Sequence, residues 1–469
     1  MTAFRPTGAG ESEDAFRASV RSELWWHAVR RQLGRLHPAA VVMQRRAAAY
    51  ARSRPTGDVL QHLDALLTHA RHNVPYYAEV LTGLGATRLR HIPILTRELL
   101  QARTLDLVAR DKADRRLHGR EIRIRSTSGS SGVPASHFQA DREAAIDAGL
   151  LLRLHRELRL PASGHLFDLG LHHAGRALLE TRIVPGAYTC WNLRSAHNGG
   201  AMLEYATALS SVRPTLIYGA ASRLQEFADH VLSQSLPVRP RVVLSSYEQL
   251  TSSGRALLSR AFDCPVRSVY GSSELGYCAW ECGQGALHVQ ADYLLPEIVD
   301  FEGQPVPRGE TGRLILTSLK SWLMPLIRYD TGDIGALRPD PCSCGSSFPV
   351  LDPFEGRRAA YLYTRSGRAV SPYKIMSIVD RLGVARYQIV QRERGAADLV
   401  LDTGYEGVDV SGCETAISTF LGETFRLHKR PGNPFTYTTG GKLNPVLSLL
   451  AVAGQESGQQ EMGQREGAQ

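Results

Sequence analysis

The chain has 469 residues, a formal net charge of +9, 43% hydrophobic and 22% charged residues. That length exceeds one ordinary core and predicts two or three domains, and the composition is that of a folded globular protein rather than a disordered one. No stretch approaches the roughly 18 uninterrupted apolar residues of a membrane-spanning helix, and Met1-Thr2-Ala3-Phe4-Arg5 opens no secretory signal, so a cytoplasmic protein without a membrane partner is expected.

The positive charge invites a nucleic-acid reading. No basic stripe interleaved with aromatics accompanies it, so no nucleic-acid partner is expected. An arginine-rich surface that attracts anionic small molecules accounts for the charge.

In chain order, residues 1–14 are polar and expected to be disordered. From Ala15 to about Val80, apolar residues recur at helical spacing, as at Leu60, Leu63, Leu66 and Leu67, and this helical section runs to about residue 115. Thr96 suits a helix N-cap. The alternating run Glu121–Arg125 reads as a strand. From 121 to about 355 strands alternate with helical patterns: Leu166–Gly170, Thr215–Gly219, Arg241–Ser245 and Pro265–Val269 are strand candidates. That alternation predicts an α/β fold, a large layered domain over 15–356 with a parallel sheet and a β-rich part at 295–340. Residues 357–450 mix strand and helix as a small α+β lid, and the Gln/Glu/Gly-rich residues 451–469 read as a disordered tail.

Four segments carry chemistry. Thr127, Ser128, Gly129, Ser130, Ser131 and Gly132 form a hydroxyl- and glycine-rich loop after a strand, offering N–H and O–H donors to an anion. Tyr270-Gly271-Ser272-Ser273-Glu274 places an aromatic ring suited to a flat base four residues before a carboxylate suited to Mg²⁺. Tyr329-Asp330-Thr331-Gly332-Asp333 puts Asp333 after a tight turn, where it suits the hydroxyls of a ribose; Gly356-Arg357 follows. Thr438–Lys442 presents one lysine behind Gly440-Gly441, read either as a working charge or as a solvated surface lysine.

In this order the segments resemble the adenylate-forming (acyl-activating) superfamily, and within it the phenylacetate–CoA ligase family, over roughly residues 90–445. The resemblance implies activation of a carboxylic acid, aryl or related, by ATP, with release of pyrophosphate and transfer of the acyl group to CoA, and places the chain in specialised metabolism. It implies that residues 127–132 close on the β/γ phosphates, that Tyr270 stacks on adenine with Tyr329 nearby, and that Gly271, Ser272 and Ser273 line the nucleotide. Glu274 then carries Mg²⁺, Asp333 and Arg357 hold the ribose, and Lys442 bridges carboxylate and α-phosphate. Transfer to an amine, a hydroxyl or a carrier-protein thiol is the alternative, and a degenerate, non-catalytic relative is another. Three features depart from the family pattern. Val133 stands where many relatives have lysine, Arg358-Ala359-Ala360 stands where a hinge acid is usual, and Tyr247 replaces a small residue beneath adenine. His172 and His173 are read either as lining the acid pocket or as having a bland structural place. Monomer and homodimer are both open.

Seven cysteines in a cytosolic chain suit thiols or metal rather than a disulfide framework. Cys282, His288, Cys342 and Cys344 make a three-Cys, one-His set, the ligand types of a closed structural Zn²⁺ site. Cys278 is an alternative ligand or a buried thiol. Cys190, Cys264 and Cys413 are expected in the core.

Overall fold

The computed structural model describes residues 59–82, 89–110, 122–126, 136–170, 179–182, 187–192, 212–355, 361–370, 372–402, 404–437 and 443–450. The chain divides into two compact units, residues 1–356 with 437–442, and residues 357–436 with 443–469.

The first unit begins with α1 (Val59–Asn73) and α2 (Pro75–Val80). Leu63, Leu66, Leu67 and Ala70 give α1 one buried face. Leu60, in phase with that face but in the first turn, is 64% exposed. Pro75 starts α2, where its missing N–H costs nothing. Thr96 does cap α3 (Arg97–Ala102), its hydroxyl accepting from the Leu99 N–H at 3.3 Å.

β1 (Arg123–Ser126) and β2 (Ser136–Gln139) pair antiparallel with Ser126 opposite Ser136, so the two ends of the 127–135 segment are adjacent. α4 (Asp141–Glu157) follows. The strands β3 (Ser163–Leu169), β4 (Leu179–Arg182), β5 (Ala187–Asn192), β6 (Leu216–Ala220), β7 (Val242–Ser246) and β8 (Val266–Ser272) build one half of a twelve-stranded sheet. β3, β5, β6, β7 and β8 are mutually parallel, and β4 is an antiparallel edge. The reason is local. β6 and β7 are short apolar runs buried on both faces, and the amphipathic helices α5 (Ala221–Ser233) and α6 (Ser252–Phe262) are long enough to carry the chain back for parallel pairing. Their inner faces meet where Phe227 stacks on Phe262 at 5.8 Å and stands edge-on to Phe167 at 6.5 Å.

Parallel pairing stops at β8. Only Ser273, Glu274 and Leu275 separate it from β9 (Gly276–Glu281), too few for a crossover, so β9 turns back antiparallel. β10 (Leu287–Val289), β11 (Leu294–Val299), β12 (Gly312–Ser318), β13 (Tyr329–Leu337) and β14 (Val350–Glu355) continue antiparallel, giving the order β11-β12-β13-β14-β10-β9-β8-β7-β6-β3-β5-β4. The turn to β structure expected at 295–340 is β11 to β13. Leu95 adds to this half as a parallel bridge to Tyr329, its N–H donating to the Arg328 carbonyl at 3.0 Å.

The second unit holds β15 (Leu362–Tyr363) paired with β16 (Ala369–Val370), then α7 (Pro372–Val379), β17 (Tyr387–Glu393), β18 (Ala396–Leu401), α8 (Ser411–Leu421), β19 (Arg426–Pro431) and β20 (Val446–Ser448). Its four-stranded sheet has the order β19-β18-β17-β20. Ile375, Met376, Ile389, Leu399, Ile417 and Phe425 form its own core. The architecture is α/β with a small α+β unit, as the alternation of patterns predicts. Among the described residues no helix is long and apolar enough to cross a membrane.

Candidate functional site

The switch from parallel to antiparallel pairing leaves the ends of β6, β7 and β8 and the β8–β9 turn on one edge, the place where open α/β sheets bind ligands. The turn is held by the Leu275 N–H donating to Ser272 Oγ at 3.0 Å. Gly271 has to be glycine: a Cβ there would stand 2.5 Å from the Gly276 carbonyl oxygen. Gly276 itself has φ +72°, a left-handed conformation in which side chains are strained. Glu274, at the crest of the turn, is only 7% exposed.

The second motif lies at the start of β13. Thr331 Oγ1 donates to the Leu314 carbonyl at 2.9 Å and accepts from the Asp333 N–H at 3.1 Å; Asp330 accepts from the Gly332 N–H at 3.0 Å and pairs with Arg313 at 2.6 Å. With Gly332 at φ +77°, this closes a tight turn that presents Asp333.

The two motifs interlock. The Tyr270 hydroxyl donates to Asp333 Oδ2 at 2.7 Å, and the Tyr329 hydroxyl donates to Glu274 Oε1 at 2.8 Å. Each motif thus supplies a tyrosine to the carboxylate of the other. In the sheet order β8 and β13 are separated by β9, β10 and β14, so the sheet curls to bring them together. Burial, and then the neighbouring Asp333 carboxylate, push the Tyr270 hydroxyl well above the usual tyrosine range, which keeps it a donor. The arrangement offers two oriented carboxylates and one aromatic ring with its hydroxyl tied down. Ser272 is half-buried, and Gly271 and Ser273 are exposed beside it.

Tyr247 lies at the end of β7 with φ +68°, which explains why a small residue is the easier choice there. Its ring packs against Tyr218 at 5.5 Å, and the adjoining Glu248 accepts from the Ser222 N–H at 2.8 Å. Arg328, just before the second motif, serves the fold: it is buried and donates to the carbonyls of Arg90 and Ile92 at 3.0 and 2.8 Å.

Thr127, Ser128, Gly129, Ser130, Ser131, Gly132, Val133, His172, His173, Arg357, Arg358, Ala359, Ala360 and Lys442 lie outside the described residues, as do the tails at 1–14 and 451–469. Sequence reasoning gave no role to Asp147 and Lys320, which pair in the interior beneath the β8–β9 turn although 173 residues apart.

A separate cluster unites Cys282, His288, Cys342 and Cys344, whose ligand atoms all lie within 4.8 Å of one another. β10 pairs with both β9 and β14, and this brings Cys282 and His288 beside the Cys342–Cys344 turn. Cys282 Sγ and Cys342 Sγ are 3.8 Å apart, and Cys344 Sγ is 3.3 Å from His288 Nε2. A tetrahedral zinc with bonds of about 2.3 Å to sulfur and about 2.0 Å to nitrogen needs roughly 3.8 Å between sulfurs and roughly 3.5 Å from sulfur to nitrogen. His288 Nδ1 engages the Phe348 carbonyl at 2.9 Å, which leaves Nε2 for the cluster. The N–H groups of Gln284, Cys344 and Ser346 point at the sulfurs of Cys282, Cys342 and Cys344 at 3.3, 3.5 and 3.4 Å. The Cys344 N–H is the main reason the Cys342 thiol falls below its ordinary value. These donors fit thiolate ligands. Cys278 is not among them: it is a buried thiol in β9, pushed up to about 12 by burial. Cys190 and Cys413 are core residues, whereas Cys264 is only half-buried, at the end of α6.

No family model matches the chain. It is 28% identical to a phenylacetate-coenzyme A ligase of Thermus thermophilus over 366 residues, 72% of this chain and 78% of that one. It is 24% identical to a phenylacetate-coenzyme A ligase of Pseudomonas putida over 409 residues, 79% and 88% of the two chains. Among solved structures, a 2-hydroxyisobutyryl-CoA ligase in the postadenylation state superposes with a TM-score of 0.66 over 83% of this chain and 88% of that one, at 15% identity. That likeness is one of fold.

Proposed function

We propose that the chain is a member of the phenylacetate–CoA ligase-like branch of the adenylate-forming superfamily, to which its curated relatives point, and that it activates a carboxylic acid with ATP. One carboxylate oxygen attacks the α-phosphorus, pyrophosphate leaves, and the acyl group of the adenylate then passes to the thiol of CoA with release of AMP. The acid is aryl or closely related, since both curated relatives are named for an aryl acid. The observation that carries the reading is the pair of crossed tyrosine–carboxylate hydrogen bonds, Tyr270 to Asp333 and Tyr329 to Glu274.

In this reading Tyr270 lays its ring against adenine while its hydroxyl orients Asp333 toward the ribose. Gly271, Ser272 and Ser273 run beside the nucleotide, their lack of bulk allowing close approach. Glu274, held by Tyr329, is the Mg²⁺ ligand; when bound, the cation neutralises phosphate charge and steadies the leaving pyrophosphate. Residues 127–132 donate to the β/γ phosphates, and the hairpin of β1 and β2 anchors both ends of that loop. Arg357 joins Asp333 at the ribose, and Lys442 supplies positive charge between carboxylate and α-phosphate. Binding ATP and acid in line removes much of the entropic barrier.

Val133 and Arg358-Ala359-Ala360 bear on the second half-reaction more than on the first, and an acceptor other than CoA is the second reading. Incubation with ATP, Mg²⁺, an acid panel and CoA, followed by mass analysis, separates the two. Acyl-CoA with AMP is the expected outcome. Adenylate that accumulates beside untouched CoA favours an amine, hydroxyl or carrier-protein thiol, and ADP as the nucleotide product would refute adenylation.

The same reading assigns Cys282, His288, Cys342 and Cys344 to a structural Zn²⁺, with all four positions filled by protein and none left for substrate. Elemental analysis is expected to give about one zinc per chain. Cys342→Ser should lower both zinc content and melting temperature; fully stable protein free of zinc would refute the assignment.

A further inference from the structure

We infer that Asp147 and Lys320 form a buried positioning pair that fixes the backbone of the Glu274 turn against the strand leaving the 127–135 segment; the inference rests on the metal-binding role proposed for Glu274. Lys320, 3% exposed, follows β12, and Asp147, 7% exposed, lies on α4. The Lys320 ammonium donates to Asp147 Oδ1 and, at 2.6 Å, to the carbonyl of Leu275, the residue after Glu274. The other oxygen of Asp147 accepts from Gln139 Nε2 at 2.6 Å, and Gln139 is the last residue of β2. One carboxylate and one ammonium therefore span from the last residue of β2 to the Glu274 turn.

The contact with the turn is close. A Cβ at Gly276 would lie 2.8 Å from Asp147 Oδ1 and 3.1 Å from Lys320 Nζ. One turn earlier on α4, Glu143 accepts from the Ala140 N–H at 2.9 Å and from the N–H groups of Trp322 and Leu323 at 2.6 and 2.8 Å. Two acids of one helix thus fasten the end of β2 to the 320–323 segment. Tyr329 reaches Glu274 through its side chain, so the pair and the tyrosine hold backbone and carboxylate separately. A buried ion pair gains little stability over apolar residues of the same volume. What this one provides is direction: a donor aimed at the Leu275 carbonyl.

The test uses the double variant Asp147→Asn/Lys320→Met, which leaves no unpaired buried charge, and reads Mn²⁺ affinity in the presence of ATP by electron paramagnetic resonance of the free ion. Loss of groups that orient a metal ligand lowers affinity by about 10- to 100-fold, and that is the expected result. In a Glu274→Gln background the same double change should have no further effect, because the pair acts through Glu274. Affinity within about twofold of wild type, below the 10-fold floor for lost orienting groups, or an equal loss in the Glu274→Gln background, would overturn the inference. If that double variant does not fold, Asp147→Asn/Lys320→Gln, uncharged yet still able to hydrogen-bond within the pair and with a side chain too short to reach the Leu275 carbonyl, carries the same comparison, with the same two outcomes. Failure of the adenylation reading is distinguishable, for it appears as wild-type protein that binds Mn²⁺ with ATP yet activates no acid.

Discussion

Lys442→Ala is expected to lower adenylate formation by on the order of 10²–10³-fold, the loss seen when a group aimed at developing charge is removed. Thioester formation from a supplied acyl-adenylate should stay largely intact. The argument is electrostatic. When the carboxylate attacks the α-phosphate, two anions are forced together, and a compact ammonium between them relieves the repulsion at the transition state. Lysine suits this work as a point charge on a flexible stem, and Gly440-Gly441 leaves the backbone before it free of side chains. Arginine, with its planar fork, is not an equivalent substitute. Once the adenylate exists the repulsion is gone and the charge is no longer needed. Measuring each half-reaction separately checks this; equal loss in both would refute the role.

Glu274→Gln should lower pyrophosphate release by a comparable factor, about 10²–10³, while leaving the fold intact. The amide keeps an oxygen that accepts from Tyr329, so what disappears is the negative charge that holds the cation. Glu274→Ala removes that acceptor as well. It takes one hydrogen bond from the hydroxyl of Tyr329, a residue only 3% exposed. A cost of about 0.5–1.5 kcal/mol in stability follows from the loss of one such bond. The two variants separate chemistry from folding: both lose activity, and the alanine variant alone also melts at a lower temperature. Activity of Glu274→Gln within a few-fold of wild type would contradict the proposed metal ligand.

Much of the fold is legible in the sequence because its signals are local. β6 and β7 are short apolar runs, helical patterns separate them, and Thr96 caps the helix it precedes. The strand expected at Pro265–Val269 is β8, which runs further, through Tyr270 to Ser272. The three-residue link to β9 explains why parallel pairing ends at the motif itself. What stays illegible is long-range. Tyr270, Glu274, Tyr329 and Asp333 stand out as members of two motifs, but nothing in the sequence says that each tyrosine serves the other motif's acid. That depends on the curl of the sheet. Asp147 and Lys320 sit in segments without any motif, so only the packed interior reveals them. The Cys/His set has the right ligand types, yet its spacing is unlike a standard finger, and its convergence depends on β10 pairing with both neighbours. Tyr247 stands out as a bulky residue where a small one is usual, whereas its left-handed backbone and its packing on Tyr218 are visible only in the fold.

Exchange of labelled pyrophosphate into ATP, without CoA, against a panel of aryl, heteroaryl and short acyl acids and amino acids, tests the central claim most directly. Adenylation is reversible, so an enzyme that uses one of these acids returns label to ATP only when that acid is present. The account predicts exchange with the aryl or a closely related class, lowered by on the order of 10²–10³-fold in Lys442→Ala. Folded protein that binds ATP but shows no acid-dependent exchange with any member of the panel would contradict it.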